Sequence, residues 1–238
     1  MKKRKLLSTL SVLSVPAAAL MLGSSQGAQI GINFQADWSP YTSYSGKPVT
    51  ATALGIDPGG WFNMLPVSTG APAKNSQVLS LPGGKSLLVS WSQANSWTSG
   101  IDADSTGTNV PPGIDEVLWG YLDDPSPGFS VTLSGLRSFC SDYTLQTIAA
   151  SDGASGFANV QLQNLLGTQS INYTNDPAQF FPVGGAGWAT STVSSAFVTL
   201  NGNDSVTIKG DGRNGSVRST LAGIILSYTP GGANPPLI

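Results

Sequence analysis

The 238-residue chain has no histidine, a single cysteine and a single glutamate, and only 10% of its residues are charged. Without histidine it cannot build a Ser-His-Asp or Cys-His nucleophile system, and it lacks the usual near-neutral proton shuttle and the ligand of most catalytic zinc sites. Cys140 stands alone, so no disulfide can form within the chain. It reads as a small buried hydrophobe more readily than as a reactive thiol. Long apolar runs are also scarce, the one example being Leu6–Leu22.

That run follows Lys2, Lys3, Arg4 and Lys5, is broken by Ser8, Ser11, Ser14 and Pro16, and gives way to Gly23, Ser24, Ser25, Gly27 and Ala28. A basic start, a short apolar stretch and small residues make a secretory signal peptide over 1–28, cleaved rather than kept as an anchor. The expected location is therefore secreted, periplasmic or cell-surface, with one domain over 29–229, a tail over 230–238 and no membrane span after the leader. Without the leader, seven Lys and Arg face thirteen Asp and Glu, a net charge of −6. Nucleic acid, which wants a basic stripe, is excluded as a partner on this balance.

What is abundant is turn chemistry: 29 Gly, 16 Pro and twelve Asp. Asp is depleted in strands and favours turns, where its short side chain bonds nearby backbone amides. Between the turns lie short alternating runs. Ile30, Ile32 and Phe34 share one face of a first strand, and Leu79–Leu81 and Leu87–Trp91 form a hairpin around Pro82-Gly83-Gly84-Lys85.

The best-patterned stretch, 129–148, reads as strand, loop and strand, a pair feeding one core through Phe129, Val131 and Leu133 and then Tyr143 and Leu145. Asn159–Leu165 and Ser170–Tyr173 are shorter strand candidates. Gly184–Trp188 reads as a turn, and Asn201-Gly202 as a hairpin joining 195–200 to 205–209. The closing run 221–228 is apolar on both faces and so central.

Ser92–Gly113 reads as a long ordered loop. Ile114, Val117, Leu118, Tyr121 and Leu122 then recur at helical spacing, with Asp115 and Glu116 in the first turn and a stop at Asp123-Asp124-Pro125. A strand with Val117, Trp119 and Tyr121 inward is the alternative.

Five segments fall in a familiar order: IGINFQ after the leader, GIDPGGWFN, VLWGYLDD, VTLSGL and RSTLAGIILSY. Together they resemble secreted β-sandwich proteins of the Verrucomicrobia and Planctomycetes type, in which I-G-V-N-F, W-N-N, G-Y-L-D, V-T-I-S-G-L and A-G-I-Q-I recur. Phe62 stands where that pattern prefers Asn, and Ile225 where it prefers Gln. The resemblance implies an all-β, antiparallel jelly-roll β-sandwich similar to galactose-binding-like domains, with one short helix near 114–122. Such domains often bind or act on polysaccharide.

Loop aromatics supply the candidate ligand residues: Trp38, Tyr41, Tyr44, Trp61, Trp97 and Trp188. Sugar rings present flat C–H faces that pack on aromatic planes, while neighbouring polar groups satisfy their hydroxyls. The alternative for each ring is that it caps the core. Asp102 and Asp104, with Asn109, offer hard oxygens for a structural calcium, though the Gly falls one place late for an EF-hand and no Glu closes the loop. No other cofactor is expected.

Carboxylates for glycoside hydrolysis exist in Asp102, Asp104, Asp115, Glu116, Asp123 and Asp124, but nothing in their spacing pairs two across a cleft. The leading expectation is a non-catalytic carbohydrate-binding module whose partner is a polysaccharide or glycan. The alternatives are a structural or adhesive surface protein and a polysaccharide-active hydrolase.

Overall fold

In the computed structural model, residues 27–36, 48–64, 73–93, 95–98, 113–123, 128–151, 160–164, 167–171, 187–192, 204–210 and 219–231 are described. The alternating runs become strands β1 (Ala28–Phe34), β2 (Trp61–Met64), β3 (Ala73–Leu81), β4 (Lys85–Gln93), β5 (Asn95–Thr98), β6 (Gly120–Asp123) and β7 (Phe129–Ser134). They continue with β8 (Cys140–Ser151), β9 (Val160–Asn164), β10 (Gly167–Ile171), β11 (Gly187–Thr192), β12 (Ser205–Gly210) and β13 (Gly223–Pro230). Among the described residues one short α-helix, α1 (Ile114–Leu118), precedes β6. The fold is all-β with antiparallel sheets and a helix, the parallel pair β1 and β2 being the exception.

Two sheets carry the architecture, ordered β11-β8-β13-β1-β2 and β10-β9-β12-β7-β4-β3. They share one core. Ile30, Ile32, Phe34, Leu145, Ile224 and Leu226 from the five-stranded sheet join Leu79, Leu87, Val89, Trp91, Val131, Leu133, Val206 and Ile208 from the six-stranded sheet. Phe34 meets Trp91 edge to face across it, ring centroids 6.2 Å apart.

The other face of the five-stranded sheet is covered as well. Ile148, Ala150, Ala222, Ile225 and Trp61 pack under Val49, Ala53, Ile56, α1 and Tyr121 in a second apolar cluster. This explains why β13 is apolar on both faces and central, flanked by β8 and β1. The six-stranded sheet has no such second cluster among the described residues, and its far face carries Ser, Thr, Gln and Lys side chains together with the exposed Val78 and Leu88.

Several sequence expectations change. The runs 129–134 and 140–151 are not a bonded pair: β7 lies between β12 and β4, whereas β8 lies between β13 and β11. They feed one core from opposite sheets, which the same alternation would produce in either arrangement. Residues 95–98 are strand rather than loop, pairing with β6 in a separate ribbon. The helix stops at Leu118, so Tyr121 and Leu122 belong to β6 and Asp123 is a buried strand residue, not a helix stop.

Trp188 sits in β11, opposite Ala150, rather than in a turn. The described partners of β12 are β7 and β9, and residues 195–203, where the hairpin expected at Asn201-Gly202 falls, lie outside the described residues. The Pro82-Gly83-Gly84 hairpin forms as expected, with φ of 76° at Gly83 and 72° at Gly84, a region that glycine enters at little cost.

Candidate functional site

Trp61 was a candidate sugar platform, but the fold makes it a core residue. It is 5% exposed, donates its indole N–H to the Ile56 carbonyl at 3.3 Å, and lies over Gly31, its register partner on β1. Trp97 is half-buried against the second apolar cluster, opposite Tyr121 in the β5–β6 ribbon. Trp188 is placed by its backbone in β11. Trp38, Tyr41 and Tyr44 lie outside the described residues, as do the calcium candidates Asp102, Asp104 and Asn109. Among the described residues no group of three His, Cys, Asp or Glu side chains could hold a metal ion.

Glu116 has a structural task. Its carboxylate accepts the Thr50 amide and hydroxyl and the Ala51 amide, the last at 2.8 Å, and so pins the 48–51 segment to α1. Asn63 holds the same segment from the sheet side, accepting Asn33 Nδ2 and the Val49 amide, each at 3.1 Å. Asp204 likewise anchors a turn, accepting the Arg137 amide at 3.0 Å. With their oxygens engaged this way, Glu116 and Asp204 serve as anchors of loop backbone.

Cys140 is buried and donates its thiol to the Leu136 carbonyl at 3.1 Å. Burial, with smaller contributions from Asp142 and Asp204, pushes the thiol up to about 12. At neutral pH it is protonated and unreactive. Burial raises Tyr143 and Tyr228 as well, helped by the neighbouring Cys140.

The polar outer face of the six-stranded sheet is the largest feature that loop reasoning missed. Strand alternation sends Ser90 and Ser92 of β4, Ser130 and Thr132 of β7, and Thr207 and Lys209 of β12 away from the core, all partly exposed. Register then aligns them. Ser76, Ser90, Thr132, Thr207 and Gln163 stand opposite one another in a single row across five strands. Within the row the Thr132 and Thr207 hydroxyls are 2.9 Å apart and hydrogen-bonded.

A concavity of about 200 Å³ lies over this face, lined by Asn75, Ser90, Trp91, Ser92, Ser130 and Thr132. Trp91 and its register partner Asn75 are core-facing positions, Trp91 packed on Phe34 and Asn75 donating to the buried Gln93 at 3.4 Å, so Ser90, Ser92, Ser130 and Thr132 are the lining side chains that alternation sends outward. Hydroxyls both donate and accept, so this lining can match a ligand bearing many uncharged polar groups. No carboxylate or thiol is among its described lining residues.

A second concavity, about 230 Å³, is mainly apolar and lies where β1 begins and β13 ends. Leu81, Pro82, Phe139, Tyr228 and Pro230 line it, with Lys85 the charged member. Phe139 and Tyr228 meet edge to face there, centroids 5.0 Å apart.

Comparison with protein-family models, with curated proteins and with solved structures finds no match for this chain.

Proposed function

We propose that this is a secreted, non-catalytic module that binds neutral carbohydrate, built as a jelly-roll sandwich of the galactose-binding-like kind. The observation that carries the reading is the hydroxyl-lined concavity on the outer face of the six-stranded sheet, which bears no apolar cluster among the described residues. A sugar polymer offers many uncharged donors and acceptors, and a lining of Ser and Thr hydroxyls meets them without the desolvation cost of a buried charge. The basic and apolar start of the sequence supports export. Affinity electrophoresis of the purified protein through gels containing neutral and acidic polysaccharides tests the proposal. Retardation by at least one neutral polysaccharide is expected, and free migration through every gel overturns it.

A structural or adhesive role is the second reading. It draws on Val78 of β3, 63% exposed, and its register partner Leu88 of β4, 39% exposed, at the edge of the six-stranded sheet that β3 forms among the described residues. Open edges with apolar side chains invite strand pairing between copies. Concentration-dependent association that Val78→Lys abolishes, with no effect of sugar, would favour this reading.

A further inference from the structure

The row Ser76, Ser90, Thr132, Thr207 and Gln163 runs at right angles to the strands, one residue per strand from β3 to β9. Hydrogen-bonded strands lie about 4.8 Å apart, so five strands present hydrogen-bonding side chains at a repeat of about 4.8 Å over about 19 Å. Along a strand, by contrast, side chains on one face recur only every ~6.7 Å. The cross-strand repeat is close to the advance of one sugar residue in an extended, β-linked glycan. The repeat along the strand is not.

From this we infer that the ligand is an unbranched, neutral, extended glycan lying across the strands, with one sugar residue over each strand. The inference rests on the carbohydrate-binding reading and adds the direction, length and charge of the ligand.

Three further observations point the same way. The concavity covers the middle of the row, where Ser90 and Thr132 are neighbours, and takes in Ser92 and Ser130 of the next row, so the second edge of a sugar ring also finds hydroxyls. The row itself carries no charge, and the two lysines that register places on this part of the face, Lys74 opposite Ser92 and Lys209 opposite Ser130, stand one row away. The sequence after the leader carries −6, so a polyanion approaching the protein meets net repulsion. A neutral chain does not.

The test is a length series of neutral β-linked oligosaccharides, from two to eight sugars, titrated calorimetrically into the full chain. Affinity should rise with each added residue up to about five and then level off. Ser90→Ala and Thr132→Val should each weaken binding of the longer members by about three- to tenfold, the loss of one or two ligand hydrogen bonds. Their melting curves report that they remain folded. Ser80→Ala, on the same strand face but off the row, should leave affinity unchanged. Raising salt to about 0.5 M should also leave it unchanged, whereas a site for a polyanion would weaken.

If neutral glycans bind but affinity levels off at one or two sugars, or the row variants bind as the parent does, the cross-strand placement is wrong while carbohydrate binding stands. If no neutral glycan of any length binds, the underlying reading falls with it. If Ser90→Ala and Thr132→Val instead dissociate a self-associated form and no glycan binds, this face is an interface between copies and the inference is overturned.

Discussion

Replacing Gly31 by Ala places a methyl group inside the ring of Trp61. An ideal Cβ on Gly31 would lie 2.3 to 2.6 Å from three atoms of the indole, well inside any van der Waals separation. The ring has little room to withdraw, because Trp61 is 5% exposed, packs in the second apolar cluster and is tied to the Ile56 carbonyl. Overpacking of this kind costs about 1–3 kcal/mol. Without the ring the sign should reverse, since Ala in a strand loses less chain entropy on folding than Gly, an advantage of about 0.5–1 kcal/mol.

The measurement is a double-mutant cycle with Trp61→Val, which leaves a strand-favouring residue in β2 and removes every ring atom. Coupling between the two positions should come to about 1.5–4 kcal/mol, the difference between a penalty and a gain. Alone, Gly31→Ala should lower Tm by about 2–12 °C for a domain of this size. Urea melts followed by circular dichroism supply all four corners. Equal effects of Gly31→Ala with and without the ring would refute the packing argument, because the clash would then have nothing to do with Trp61.

Gly120→Ala should be more damaging than Gly31→Ala, because its Cβ would meet only backbone: Ala36 N at 2.4 Å, Gln35 C at 2.7 Å and Phe34 O at 2.7 Å. Loss of soluble folded protein or a fall in stability above about 3 kcal/mol is expected, and a silent substitution would refute the close approach of β6 to residues 34–36. Glu116→Ala should cost about 1–3 kcal/mol and speed amide exchange at Thr50 and Ala51, the groups its carboxylate accepts from; unchanged exchange would show that the anchor does not hold them.

Cys140 should resist thiol reagents at pH 8 until the protein unfolds. As its native pKa of about 12 exceeds the ordinary thiol value, the unfolded state releases its proton first, and stability should fall between about pH 9 and pH 12. Cys140→Ala should lessen that fall, with Tyr143 and Tyr228 sustaining part of it through their own raised values. A stability flat over this range would contradict the burial of all three groups.

Alternation made much of the strand content legible in advance. Phe129, Val131 and Leu133 point inward as expected, Ile224, Ile225 and Leu226 fill cores on both faces of β13, and the hairpin around Pro82-Gly83-Gly84 forms with Leu87, Val89 and Trp91 buried on one face. Short elements were harder. Residues 95–98 carry only Trp97 as an apolar anchor, so β5 gave no pattern to read, and the apolar positions of 114–122 fit a helix until β6 claims the last of them. Trp61 is the instructive aromatic. Its place after a Pro-Gly-Gly turn suggested a rim, yet the residue that decides its position is Gly31, thirty places earlier, whose missing side chain leaves room for the ring.

By itself the sequence determined the class of structure and the chemistry denied to it. Period-two runs of Val, Ile and Leu bounded by Gly, Pro and Asp specify short strands and turns, and the absence of histidine removes whole families of mechanism whatever the fold. Which strands are neighbours was decided by tertiary structure alone, because hydrophobic alternation says which face is buried and nothing about the partner at the edge. That choice separates β7 from β8 into opposite sheets and brings Ser76, Ser90, Thr132, Thr207 and Gln163, drawn from five separate strands, into one row. Serine and threonine at outward positions were readable in each strand. Their alignment into a surface is a property of register, which only the folded chain possesses.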